Sequence, residues 1–358
     1  MNHLTQKEIN SQAELKIKKP LVWEKVIKFD EKFKNNIPFP TIQLHYRYSC
    51  NMNCQHCSIS DFRFHPNNKN RSKLSIEDMK SLSKQADEFG ISQFDVSGGE
   101  PTTFKEFDEL IAAIDPMKFY IQLDTNAYLL TEEKLQHMKD IGIDVISIGL
   151  DSLDEKSHDD FRRTPGAWKK CIEAIDLILK VGLKSKITTF VDKKRLYSDE
   201  FIQFLEFTKS KNTTVGVCFP YMTGEYCKTH INNYELITQA DFDYLEKLSE
   251  KYKVYSHLSK QFGRPQGCMA VKRMIAITAY GDVMPCPWTF FSLGNIKEIS
   301  LKEILDKGMK YFGHKIPDCR IVMNKEFITK YVSQTLGIPT PIPIEQANPP
   351  FEESIIEK

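Results

Sequence analysis

The strongest constraint on this chain is a rhythm. From Thr41 to Met222, short strand signals alternate with amphipathic helix signals. The stretches "TIQLHYRYS", "ISQFDVS", "KFYIQLDTN", "DVISIGLD", "KSKITTFVD" and "TTVGVCFPYM" read as six strands, each separated from the next by a helix. Repeated βα units specify a parallel sheet, because only a crossover can return the chain to start a parallel neighbour. Local punctuation agrees. Ser75 and Asp78 have the spacing of a capping box, Ile76, Met79, Leu82, Ala86 and Phe89 keep to one face, and Gly90 supplies the stop. In barrels of such units the reacting groups gather at the carboxyl ends of the strands, so the loop after the first strand is the first place to look for chemistry.

After Thr238 the rhythm changes. "TQADFDYLEKLSEKY" reads as a capped helix, "MIAITAYGDVMPCPW" as a hairpin turning at Tyr280-Gly281-Asp282, and "SLKEILDKGMKYF" as a further helix. Residues 1–38 read as a charged leader with one short helix. The closing "GIPTPIPIEQANPPFEESIIEK" is too rich in proline and charge to pack and is expected to be a loose tail. Lys plus Arg number 49 against 48 Asp plus Glu, so no basic field draws the chain to nucleic acid or an anionic membrane. Neither a spanning stretch nor an export-type apolar region is visible, and a cytoplasmic location is expected.

Nine cysteines, an odd number, in such a chain point to reduced thiols rather than a disulfide framework. Three of them, Cys50, Cys54 and Cys57, stand together in "YRYSCNMNCQHCSIS" with spacing C-x3-C-x2-C. Zinc completed by His45 or His56 is one reading, although x3 followed by x2 is an unusual zinc spacing. The other is a [4Fe–4S] cluster held through three irons, whose fourth iron stays open to a small molecule.

That loop, with the segments that follow it, resembles the radical S-adenosylmethionine (SAM) enzyme superfamily. His56 stands where those enzymes usually carry an aromatic ring near the adenine. "GGEP", comprising Gly98, Gly99, Glu100 and Pro101, follows the second strand as the family's methionine-binding motif does. "SLDEKSHDDFRRTPGAW" resembles the family's segment after the fourth strand, and "FPYMTG", with Met222 and Thr223, its sixth-strand adenine contact. The likeness runs in order from about Thr41 to Gly224. It implies an α/β fold: a partial (β/α)6 TIM-type barrel over 39–235, then a linker helix and small auxiliary-cluster domain with a hairpin and a helix over 236–325, and a C-terminal segment over 326–358. It also implies a chemistry. SAM chelates the open iron, one electron from an external reductant such as flavodoxin or ferredoxin breaks its S–C5′ bond, and a 5′-deoxyadenosyl radical abstracts a hydrogen atom. Gly98 and Gly99 would let backbone approach the methionine end. Glu100 would accept from its ammonium group, and Arg162 or Arg163 would take its carboxylate.

A second constellation, Cys268, Gly281 and Cys286 at C-x12-G-x4-C, resembles the start of the family's twitch/SPASM-like auxiliary domain, as does "GNIKEISLKEIL". Only Cys319 remains downstream, which fits a form with one auxiliary [4Fe–4S] cluster. Cys268, Cys286 and Cys319 would leave one iron open unless Cys218 or Cys227 fills it; a zinc-stapled hairpin is the competing reading. Cys171 shares an apolar helix face with Trp168, Ile175 and Ile178 and reads as core. Cys218, and less so Cys227, could instead return a hydrogen atom to a substrate radical. The expected reaction is hydrogen abstraction from a small polar metabolite such as a sugar or aminocyclitol, of oxidoreductase or epimerase type. Modification of a ribosomal peptide, and a non-enzymatic metal-binding scaffold, are the alternatives.

Overall fold

The structure, a computed structural model, describes residues 6–259, 267–314, 316 and 318–347, with side chains from residue 12. The six expected strands form: β1 (Thr41–Arg47), β2 (Gln93–Gly98), β3 (Tyr120–Thr125), β4 (Val145–Gly149), β5 (Lys184–Phe190) and β6 (Thr214–Cys218). They pair in parallel in sequence order. The helix Ile76–Phe89 starts on the Ser75/Asp78 capping box and ends at Gly90 in the left-handed conformation, as the sequence specifies.

Strand alternation decides what the sheet can do. Ile42, Leu44, Phe94, Val96, Ile121 and Leu123 enter the main core together with helix residues such as Met79, Leu82 and Leu110. The residues between them, Gln43, Asp95, Gln122 and Asp124, line a cavity on the other face. A closed barrel fills its interior with branched apolar side chains. Here polar Gln43, Asp95, Gln122, Asp124 and Lys186 stand among apolar residues such as Phe29, Phe39 and Trp288, a mixed lining that suits a binding chamber.

The edges of the sheet were not legible in the local pattern. β7 (Val254–Ser256) extends it in parallel beyond β6, and β8 (Met274–Ile277) pairs in parallel with β1. β9 (Asp282–Met284) follows β8 antiparallel. A short β10 (Phe291–Ser292) lies outside this sheet, and β11 (Gly294–Asn295) closes the edge against β9. The order is β11-β9-β8-β1-β2-β3-β4-β5-β6-β7. The expected hairpin therefore continues the main sheet beyond β1.

Both termini pack more than expected. The leader holds three helices, Gln6–Lys18, Pro20–Val26 and Phe29–Lys34. Its lysines bind the turns where helices return to strands: Lys19 Nζ donates to the Phe119 carbonyl (2.9 Å), Lys25 Nζ to that of Lys118 (2.8 Å) and Lys32 Nζ to that of Phe89 (3.0 Å). Phe29 and Phe39 stack at 4.6 Å and line the interior cavity. The leader thus caps the amino ends of the strands. In the proline-rich tail, β12 (Ile342–Pro343) pairs with β10 and Ile344 is fully buried; residues 348–358 of that expected tail lie outside the described residues. Among the described residues no helix is long and apolar enough to cross a membrane.

Candidate active site

Cys50, Cys54 and Cys57 lie on the loop after β1 and line one cavity of about 250 Å³. The loop is held from three directions. Arg63 donates from Nη1 to the Met52 carbonyl and from Nη2 to that of Cys50, both at 2.6 Å. The Gly99 and Glu100 N–H groups donate to the carbonyls of Arg47 (2.8 Å) and Ser49 (2.7 Å). A Cβ on Gly99 would overlap the Ser49 carbonyl, so the missing side chain serves close packing against the cysteine loop. Gly98 and Gly99 also line the cavity itself. From the far side Glu225 N–H donates to the Cys57 carbonyl (3.0 Å), and Gly224, with φ +56°, fits where a Cβ would overlap the carbonyls of Cys57 and Ser58.

Glu100 lines the same cavity, yet its carboxylate is largely occupied. Oε1 accepts from Thr102 N–H (3.1 Å), Thr102 Oγ1 (2.7 Å) and Thr125 Oγ1 (2.6 Å), while Oε2 accepts from Asn126 N–H (2.7 Å). A carboxylate has about four lone-pair directions, so Oε2 retains one for an ammonium group. Its first role is to fix the exit of β3, where Asn126 Nδ2 donates to Asn51 Oδ1 on the cysteine loop (2.8 Å). Burial pushes the Glu100 carboxyl up, against the pull of these donors.

The two arginines separate cleanly. Arg162 is buried, lines the cavity and donates from Nε to Asp151 Oδ2 at 2.7 Å. Burial alone would raise the Asp151 carboxyl, but the Arg162 guanidinium, His56, His158 and the Phe190 N–H beside it together outweigh burial and hold the group well below the usual carboxylate range. Arg163 caps its helix at φ +52°, lies at the surface and reaches Glu225 Oε1 (3.2 Å) and the Asn53 carbonyl (3.5 Å). It does not line the cavity, so Arg163 is withdrawn as a cofactor residue. His56 stacks on Phe161 at 4.6 Å and 8°, and burial pushes its pKa down to about 4, leaving a neutral ring. Pro101 opens the short 3-10 turn after Glu100. Met222 and Thr223 are buried beside the Gly224 contact and do not line this cavity. Arg63 and Asn126 were missed. Their only sequence signals are a basic residue soon after the third cysteine and an Asn at a strand end.

A second cavity, about 540 Å³, fills the barrel interior. It shares Gln43, Asp124 and Thr188 with the cysteine cavity, so the two adjoin. Asp95, Asp124, Lys186 and Gln122 make part of its wall polar, and Lys186 Nζ donates to Gln122 Oε1 at 3.3 Å. Cys218, the last residue of β6, lines it, and burial pushes that thiol up to about 12. Cys227 is fully buried in the main core and lines neither cavity, which removes it as a catalytic thiol and as an auxiliary ligand. Cys171 is core, as read from its helix face.

Cys268, Cys286 and Cys319 line a third cavity together, although 51 residues separate the first from the last. It shares His257, Met269, Met274 and Trp288 with the barrel interior. Cys286 Sγ donates to Thr289 Oγ1 at 3.1 Å. Cys218 is absent from this wall and is not its fourth ligand. Among the described residues no three His, Cys, Asp or Glu side chains group as a single metal ion requires. Three thiols around the 250 Å³ cavity suit a body larger than a zinc ion, whereas the auxiliary cavity is only about 30 Å³ and its three thiols are the donor type that both zinc and iron–sulfur clusters use.

The fold is α/β with a mostly parallel sheet, and it carries two cavities each lined by three cysteines. Residues 47–207 match the radical SAM superfamily, and residues 268–321 match the SPASM iron–sulfur cluster-binding domain. The chain is a radical SAM enzyme with a C-terminal SPASM domain, and these domains imply a [4Fe–4S] cluster, SAM and an auxiliary cluster. It is 24% identical over 313 residues to an AdoMet-dependent heme synthase of Methanosarcina barkeri, covering 80% of this chain and 87% of that one. It is 27% identical over 290 residues to a GTP 3′,8-cyclase of Nautilia profundicola, covering 75% and 86%. Among solved structures, Streptococcus suis SuiB bound to precursor peptide SuiA superimposes with a TM-score of 0.59 at 19% identity, over 79% of this chain and 68% of that one. Native anSMEcpe with bound AdoMet gives 0.54 at 18% identity, over 76% and 83%. At these identities the superpositions speak to the fold.

Proposed function

We propose that Cys50, Cys54 and Cys57 hold the radical SAM cluster, and that the enzyme abstracts hydrogen from a small polar metabolite bound in the barrel interior. One observation carries this reading: a 540 Å³ chamber, with Asp95, Asp124 and Lys186 in its otherwise mixed wall, adjoins the cysteine cavity on one side and the Cys268/Cys286/Cys319 cavity on the other. When bound and reduced, the cluster and SAM supply a 5′-deoxyadenosyl radical. The chain's own residues would orient and shield. Arg162 presents two terminal nitrogens, free of hydrogen bonds among the described residues, to a carboxylate, and Glu100 Oε2 offers its remaining lone pair to an ammonium group. The neutral His56, backed by Phe161, provides an apolar face near the loop.

In the chamber, Asp95 and Asp124 face Lys186, a set suited to hydroxyl and amino groups rather than to a hydrocarbon. Burial together with neighbouring Asp124 raises the Asp95 carboxyl, so Asp95 can donate as well as accept. Cys218 lines the chamber and burial keeps its thiol protonated, so an S–H is available there to return to a substrate radical if the reaction is an epimerisation. The test is label transfer. Polyhydroxylated and amino-bearing metabolites deuterated at carbon are incubated anaerobically with reconstituted enzyme, SAM and reductant. Deuterium in 5′-deoxyadenosine is expected from a metabolite; transfer only from a deuterated peptide would replace this reading with a peptide maturase.

A further inference from the structure

Three thiols leave one auxiliary iron without a cysteine, and the same cavity wall contains a nitrogen that lacks a partner. His257 lies just beyond β7, in the wall shared by the auxiliary cavity and the barrel interior. Its Nε2 is buried and has no hydrogen-bond partner among the described residues. Nδ1 is within 2.8 Å of Tyr221 Oη, and Tyr221 stacks on Trp288 at 3.9 Å. A buried imidazole nitrogen without a partner carries a desolvation cost unless something else satisfies it.

We propose that His257 Nε2 is the fourth protein ligand of the auxiliary cluster, which rests on Cys268, Cys286 and Cys319 being the other three. The Tyr221 contact fits the role. A ligating imidazole needs its lone pair on the metal and its other nitrogen protonated, and Nδ1–H donating to Tyr221 Oη fixes that tautomer. Cys218 and Cys227, the alternatives the sequence offers, line the barrel interior and the main core instead. An auxiliary cluster closed by His257 has no iron for substrate to bind. It exchanges electrons across the wall formed by His257, Tyr221 and Trp288. Sequence reading had no means of finding this ligand, because a lone His in "YSHLSK" has no ligand-type spacing to the three cysteines.

The experiment isolates the auxiliary site in the full chain by replacing the first set of thiols (Cys50→Ala, Cys54→Ala and Cys57→Ala together). The protein is reconstituted anaerobically and examined by iron analysis and by pulsed electron paramagnetic resonance after reduction. The expected result is a strongly coupled nitrogen in the reduced cluster signal. His257→Ala should lose that coupling. His257→Cys should retain iron, lose the coupling and shift the reduction potential downward, as thiolate in place of imidazole does in other clusters. Iron-loaded protein without the coupling, or coupling unchanged in both His257 variants, would overturn the proposal. Absence of auxiliary iron, or its retention in Cys268→Ala, would instead overturn the assignment of the three cysteines.

Discussion

Arg162 Nε donates to Asp151 Oδ2 at 2.7 Å, and both groups are buried where β4 ends. The pairing fixes one edge of the guanidinium and leaves the other in the wall of the cysteine cavity. Arg162→Lys keeps the charge but loses the planar fork. SAM affinity should fall by about 1.5–3 kcal/mol, roughly ten- to hundredfold in Kd, with iron content unchanged, as isothermal titration can measure. Arg162→Ala strands the Asp151 carboxylate as well and should destabilise the fold by about 3–5 kcal/mol. Because the native Asp151 carboxyl lies below its unfolded value, its stabilising contribution is fully present above about pH 4 and is lost as pH falls below that.

Gly224 tests the docking of the "FPYMTG" segment on the cysteine loop. In Gly224→Ala the new Cβ must displace the carbonyls of Cys57 and Ser58. Overpacking against backbone should cost about 1–3 kcal/mol, and the distorted loop should hold less iron. Thermal unfolding and iron analysis read the two effects separately. Unchanged values for both would mean that the contact does not hold the loop.

Asp95 predicts a pH dependence of the opposite sense to Asp151. Its carboxyl is raised in the native protein by burial and by Asp124. The unfolded chain therefore ionises first, and stability declines as pH rises from about 4 toward the native value. Asp95→Asn lacks this decline. Its melting temperature relative to the parent should rise between pH 5 and pH 8, by the equivalent of more than about 1 kcal/mol. A difference that does not change with pH would show that Asp95 is ionised throughout.

What the sequence made visible, and what it hid, follows from how far apart the interacting residues lie. Six strands, the Ser75 cap and the Cys50/Cys54/Cys57 loop were readable because each is a local spacing or period. The pairing of β8 with β1 was not, since Ile42 pairs with Ile275, 233 positions further along, and no local pattern encodes the partner. Arg162 and Arg163 are chain neighbours, and only the left-handed turn at Arg163 sends one inward and the other to the surface. The leader read only as a charged segment with one short helix because its lysines answer backbone carbonyls, which have no sequence signature. The proline-rich tail hid a buried Ile344 for the same reason: composition predicts the average fate of a segment and not the surface waiting for it.

The account rests on cleavage of SAM by a cluster held at Cys50, Cys54 and Cys57. Anaerobically reconstituted protein, reduced with dithionite in the presence of SAM, is assayed for 5′-deoxyadenosine beside Cys54→Ala. The account predicts steady formation by the parent and none by the variant. Bound zinc in place of iron in the parent, or 5′-deoxyadenosine formed equally by Cys54→Ala, would contradict it.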